Sequence, residues 1–206
     1  SITTSLPADI NFTNKTVKLA DINGDRIKDV VWLRSLNGKI HLTYWPHKGQ
    51  LAFGEAVAID VGSPDAAGIE LDKLRLNDIN GDGMSDLVYI QPGQVRFWLQ
   101  QHTASGVQWS APQGLTAPNY NRNATAIFDG DINGNGTGDF VWVSVSNDIP
   151  PQYLDLSGDT KANLLTVIDN GMGLRTQLSF TSMGGLQAQA EKANMPWQTS
   201  SPIAQQ

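Results

Sequence analysis

One nine-residue pattern constrains this chain more than any other feature: Asp-Ile-Asn-Gly followed by Asp or Asn and, four residues later, by a closing Asp. It stands at Asp21–Asp29 (DINGDRIKD), Asp78–Asp86 (DINGDGMSD) and Asp131–Asp139 (DINGNGTGD). The first residues of successive copies are separated by 57 and 53 positions. Self-similarity at such a period marks a repeat architecture. Each copy has the same parts in the same order. A lead-in alternates apolar and polar residues (TVKLA, DKLRLN, TAIFDG), the acidic loop follows, and a tight apolar run comes next (VVWLRS, LVYIQ, FVWVSV). Trp32, Tyr89 and Trp142 each stand three residues after the last Asp of their loop. The first two copies continue with a third run (KIHLTYW, QVRFWLQ) and a fourth segment (FGEAVAI, VQWSAPQGL). β-Branched and aromatic residues at period two, bounded by Gly, Pro, Asn and Asp, read as strands. Four strands per repeat of about 50 residues predict an all-β chain of about three four-stranded β-propeller blades. The only helical candidate, near Gly184–Met195, is short and weakly amphipathic.

Composition removes several function classes. With no cysteine, disulfides, zinc–thiolate sites and thiol catalysis are excluded. A net charge of −6 without a basic patch argues against nucleic acid as a partner. No apolar run reaches membrane-spanning length, so direct membrane insertion is not expected. The first residues, SITTSLPADI, lack the basic and apolar parts of a signal peptide and read as a cut within a longer protein.

The acidic loops suit a hard cation. In the second, Asp78, Asn80, Asp82 and Asp86 occupy positions one, three, five and nine, and Met84 at position seven can add a backbone carbonyl. Alternate spacing turns these oxygens toward one centre when the backbone curls. An all-oxygen cage fits Ca2+ better than Mg2+, which keeps more of its water. Gly81 and Gly83 permit the curl. This is not an EF-hand, because position twelve is Trp32, Tyr89 or Trp142 and not a bidentate Glu. The first loop supplies Asp21, Asn23, Asp25, Ile27 and Asp29, but has Arg26 where the second has Gly83. A side chain at positive φ is strained there, and a cation beside the site weakens it. The third supplies Asp131, Asn133, Asn135, Thr137 and Asp139; with Asn at position five it binds more weakly unless Asp129 helps. A degenerate copy at Asp155–Asn163 is expected to hold no metal. The same residues also suit plain Asx turns, in which Asp and Asn bond their own backbone.

Other chemistry is thinly represented. His41, His47 and His102 have no second ligand at metal spacing, and no G-x-S-x-G elbow occurs. Paired carboxylates could serve a glycosidase, but an active site is normally unique, whereas these repeat.

The loops resemble those of FG-GAP/VCBS repeats in integrin-type β-propellers, whose calcium loops read D-x-[DN]-x-D-G-x-x-D between the first two strands of a blade. That resemblance covers Thr16 to Ser146. After it, KANLLTVIDNGMGLRTQLSFTSM (Lys161–Met183) reads as two strands joined by DNGMG, a hairpin signal. Asn163, Leu164, Leu165, Ile168, Asp169, Asn170, Gly171 and Gly173 resemble a run in the TcB component of bacterial insecticidal toxin complexes, a group related to SpvB and Rhs proteins. Met195–Gln206 matches a later motif of that family loosely, without its Phe.

The two resemblances imply three blades in 1–150, then a degenerate repeat and the start of the next β-rich region in 151–206. They imply a non-enzymatic, secreted scaffold stabilised by calcium. Its partners would be the rest of its parent chain, an A-type pore former and a C-type cargo protein, and its work would be docking and gating in toxin translocation. The alternative is an adhesion or carbohydrate-binding propeller module. Three blades cannot close a ring of six or seven, so a fragment, or self-association through open blade edges, is expected.

Overall fold

The computed structural model describes residues 6–7, 10–50, 52–61, 68–104, 106–135, 137–158, 161 and 163–197. It divides into two compact units, Ser1–Ile79 with Gly83–Thr125, and Asn80–Asp82 with Ala126–Gln206.

The first unit holds two antiparallel blades. Blade one is a meander of β1 (Val17–Ala20), β2 (Asp29–Leu36), β3 (Lys39–Trp45) and β4 (Val57–Asp60), hydrogen-bonded in that order. Asn37 and Gly38 join β2 to β3 with φ of 51° and 74°. Two positive φ values make the turn whose twist matches paired strands, which is why Asn-Gly stands there. Blade two is built from β5 (Leu74–Asn77), β6 (Asp86–Gln91), β7 (Gln94–Trp98) and, beyond an inserted pair, β10 (Gln113–Thr116). The inserted pair is the hairpin of β8 (Gln100–Thr103) and β9 (Gly106–Trp109). The segment VQWSAPQGL, expected to be one fourth strand, is thus divided. Its first part pairs with β8, and its end, in β10, pairs with β7.

Period two decides what each strand buries. On β2, Val31 and Leu33 share a core with Ile40, Leu42 and Tyr44 of β3 and with Leu87, Tyr89 and Trp98 of blade two. Val30 and Trp32 point the other way and pack with Val17, Trp45, Leu6 and Ile10. On β6 the phase is reversed: Leu87 and Tyr89 enter the shared core. One blade therefore offers its odd loop-counted positions and the next its even ones, as stacked blades require. Arg96 stacks over Tyr89, its cross-strand partner, at 5.4 Å, and Arg34 over Trp32 at 4.5 Å.

The second unit contains most of the third sheet, β11 (Thr125–Gly130), β12 (Asp139–Ser144) and β13 (Gln152–Leu154), in that order. Three strands are present here among the described residues, where four were expected, and the sheet runs past residue 150. Phe140 and Trp142 are buried and meet edge to face, with ring centroids 6.4 Å apart. The expected hairpin forms from β14 (Val167–Asp169) and β15 (Arg175–Gln177). Asn170 Oδ1 accepts the N–H groups of Met172 and Leu174, while Gly171 and Gly173 take φ of 69° and 94°. Asn163 Nδ2 donates to the Asn80 carbonyl at 3.0 Å.

Besides a short 3-10 turn at Leu71–Lys73, one α-helix, α1 (Met183–Lys192), stands among the strands of the described residues. Its weak apolar pattern agrees with the absence of any buried residue in it; Ser182 caps it by accepting the Gly185 N–H at 3.0 Å. Among the described residues no helix is long and apolar enough to cross a membrane. Of the Met195–Gln206 segment, residues beyond 197 lie outside the described residues.

Leu42 is fully buried in the shared core, whereas a Cβ on Gly38 would meet nothing within 4 Å. Leu42→Ala is expected to cost about 2–5 kcal/mol through lost burial and a cavity. Gly38→Ala is expected to cost only about 1–2 kcal/mol, from its positive φ alone. Urea unfolding followed by Trp fluorescence measures both; equal losses would contradict this division.

Candidate functional site

The three loops occupy the same place in their sheets, between the first and second strands. Their side-chain oxygens are engaged in a common pattern. At position one, Asp21 Oδ1 accepts the Gly24 N–H and Oδ2 the Arg26 N–H, both at 2.7 Å. Asp78 Oδ2 accepts the Gly83 N–H at 2.9 Å, and Asp131 Oδ1 the Asn135 N–H at 3.0 Å. At position three, Asn23, Asn80 and Asn133 each take the N–H two residues on, at 3.0 Å. At position five, Asp25 accepts from the Ile27 N–H and Asn135 from the Thr137 N–H, at 2.8 and 2.7 Å. Glycine occupies position four with φ of 77°, 72° and 72° at Gly24, Gly81 and Gly134. At position six Gly83 has φ 91° and Arg26 has φ 67°, the strained conformation foreseen for that side chain. Gly136, its counterpart in loop three, lies outside the described residues.

Position nine differs from the others. Asp29, Asp86 and Asp139 are completely buried. Oδ2 of each accepts the N–H of loop position two, from Ile22, Ile79 and Ile132, at 3.0–3.1 Å. Oδ1 of each accepts an N–H two residues beyond the third strand: from His47 at 2.9 Å, Gln100 at 2.8 Å and Leu156 at 3.4 Å. One carboxylate thus ties the loop's entry to the third strand's exit in every repeat. Burial pushes the Asp29 carboxyl above its ordinary range; the bonds from His47 and Ile22 oppose this, and Asp25 and Asp21 add to it.

Loops one and two also touch in the first unit. The Ser85 N–H donates to the Asp21 carbonyl at 2.8 Å, buried Gln100 donates through Nε2 to the Ile22 carbonyl at 2.5 Å, and Met84 lies against Gly24. Ser85 and Gln100 carry no sequence signal as loop partners, because these bonds use backbone atoms of another repeat. Asp155 is a further participant, accepting the Asn133 Nδ2–H at 3.0 Å.

For a cation the donor chemistry is suitable, since every side chain in loop two at positions one, three, five and nine offers oxygen and each carboxylate oxygen has a second lone pair. The carboxylates do not already converge: among the described residues no three Asp, Glu or His side chains lie close enough together to hold a metal.

Comparison with known proteins agrees with the architecture. Residues 78–142 match the family model of the FG-GAP-like repeat, a stretch that opens on loop two and ends on Trp142. No curated protein matches the sequence. Among solved structures, the chain is similar to TcdB2-TccC3, with 22% identity and a TM-score of 0.67 over 87% of this chain and 8% of that one. It is also similar to the Tc holotoxin pore of Photorhabdus luminescens carrying the TccC3-D651A mutation, with 21% identity and a TM-score of 0.66 over 91% of this chain and 9% of that one. Both parts of the resemblance read from the sequence, the FG-GAP-type repeat and the toxin-complex protein, reappear in these matches. At such identities the likeness to the solved structures is one of fold, and the chain spans less than a tenth of their length. A match over 91% is too extensive to be confined to 1–150, so it includes part of the tail.

Asp86→Ala would remove a fully buried carboxylate that accepts the Ile79 and Gln100 N–H groups, an expected loss of about 2–5 kcal/mol in EDTA. Asp82→Ala, at an exposed position, is expected to cost under about 1 kcal/mol in the same buffer. Arg26→Gly is expected to raise stability by about 1 kcal/mol through relief of positive φ. Urea titrations of the three variants check these values; a larger loss for Asp82→Ala than for Asp86→Ala would refute the assigned role of position nine.

Proposed function

We propose that this chain is a non-enzymatic, calcium-stabilised propeller segment of a secreted toxin-complex protein. It serves as scaffold and docking surface in an assembly that gates the passage of a toxic cargo. The fold match to toxin-complex chains across the repeats and into the tail carries this reading. The repeating use of the same carboxylates supports a structural role for them over a catalytic one. Partners of this kind are an A-type pore former, a C-type cargo protein and the remainder of a longer parent chain. Open blade edges, including β13, would meet neighbouring strands.

In loop two Ca2+ would be held by Asp78, Asn80, Asp82, the Met84 carbonyl and Asp86. Bound there, the ion supplies charge neutralisation to crowded carboxylates, and it stabilises the fold by linkage. Loop one has the same donors but a strained Arg26 beside them, and so ranks second.

Two measurements test the proposal. Calcium at about a hundredfold its Kd is expected to raise Tm by about 5–10 °C over EDTA, and Asp82→Ala should remove most of that rise. A melting temperature indifferent to calcium in the wild type would sink the calcium part. Biolayer interferometry against an A-type pore former, with the chain carried in its toxin-complex context, should give saturable binding. Failure to bind would remove the docking role, and a specific sugar on a glycan array would favour the adhesion alternative.

A further inference from the structure

The third loop closes differently from its siblings. In loop one the position-three amide, Asn23 Nδ2, donates to Asp25 Oδ2 at position five; in loop two Asn80 Nδ2 donates likewise to Asp82 Oδ2, both at 2.9 Å. Loop three has Asn135 at position five, so that acceptor is missing. Asn133 Nδ2 turns instead to Asp155 Oδ2 at 3.0 Å, and to the Gly158 carbonyl at 3.1 Å. Asn135 donates to that same carbonyl at 2.5 Å through the Nδ2 that stands where its siblings carry a carboxylate oxygen. The remaining oxygen of Asn135 is doubly engaged, accepting from the N–H and Oγ1–H of Thr137 at 2.7 and 2.6 Å. Asn135 and Thr137 are both buried. The incoming segment is itself fixed, since Asp155 Oδ1 accepts the N–H groups of Ser157 and Gly158 at 3.0 and 2.7 Å.

We infer that loop three is closed by the segment Asp155–Gly158 and takes no cation, with Asp155 in the place that Asp25 and Asp82 hold in their own loops. The chemistry is self-consistent. An amide at position five directs a donor outward, which repels a cation and attracts a carbonyl. Gly158 presents that carbonyl at φ 74°, in the left-handed region that glycine occupies without strain. The stretch that looks like a degenerate fourth repeat is on this reading the lock of the third. Both lone pairs of the Asn135 oxygen are used, so position five keeps no side-chain oxygen for a cation. Loop three therefore lacks the position-five carboxylate that loops one and two offer, and keeps charge only at Asp131 and Asp139. The inference concerns loop three alone and stands apart from calcium binding at loop two.

The test is a thermal double-mutant cycle on the full chain, in EDTA and in calcium. Asn133→Ala and Asp155→Ala should each lower Tm by roughly 2–4 °C, and the double variant by little more than either single one. The coupling should be the same in both buffers. Asp155→Asn, which keeps an acceptor oxygen, should retain most of the Tm; if instead it lowers calcium stoichiometry by one, Asp155 belongs to a composite cation site and the inference is overturned. Additive losses in the cycle would overturn it too. A third arm uses Asp21→Ala with Asp82→Ala to disable the first two loops: a Tm unchanged by calcium supports the inference, and a rise of several degrees overturns it. If that pair does not fold, the cycle decides alone. Should the wild type ignore calcium altogether, the calcium reading of loop two fails while the Asn133–Asp155 coupling remains to be judged on its own result.

Discussion

A fully buried carboxylate with two backbone donors is the interaction on which each repeat depends. Asp29, Asp86 and Asp139 stand at the first residue of the second strand, beside the sheet's apolar face, where an ionised group is costly unless its oxygens are bonded. Two N–H groups meet that need, one from the loop's own entry and one from just past the third strand. The carboxylate therefore sets the length of the loop, the start of β2, β6 or β12, and the exit of the third strand at once. Strand register follows from it: Asp29 is the last partner in the β1–β2 pairing and Asp86 the last in β5–β6.

This explains which parts of the fold were legible in the sequence. The strands on either side of each loop could be read because period two and the fixed distance to the closing Asp act together. The hairpin at Asn170–Gly173 could be read because positive φ demands those residue types. The β8–β9 hairpin was hidden, since GVQW and QGLT both alternate and nothing local says that the first leaves the blade. Ser182 and a run of Ala, Gln and Glu specify α1 by capping and propensity, while its lack of a buried face removes the periodic signal by which helices are usually recognised.

The candidate site was half legible for a similar reason. Contacts within nine residues leave a spacing, and that spacing picked out Asp21, Asp78, Asp131 and their companions. Contacts between repeats leave none. Gln100 reaches the Ile22 carbonyl across 78 positions, and Asn133 reaches Asp155 across 22. What the spacing suggested as a cage is, without an ion, a set of Asx turns around a buried clamp, and these two descriptions are compatible. An oxygen that accepts one N–H keeps a lone pair, so the turns preorganise the loop and leave donors available to a cation.

The departures among the three copies then acquire a direction. Loop two has glycine at both positive-φ positions and a full set of carboxylates, so an ion there would meet little backbone resistance. Loop one keeps the carboxylates but places Arg26 at φ 67°, which combines strain with like charge toward any bound cation. Loop three exchanges one carboxylate for an amide and recruits Asp155 and Gly158 from the following segment. Changing Asp to Asn at position five alone would have left Asn133 without its acceptor, a loss a half-buried amide can hardly bear. The Asp155 carboxylate and the Gly158 carbonyl together remove that loss. The amide at position five and the acceptors of 155–158 answer each other, so the third repeat is completed by its own chain.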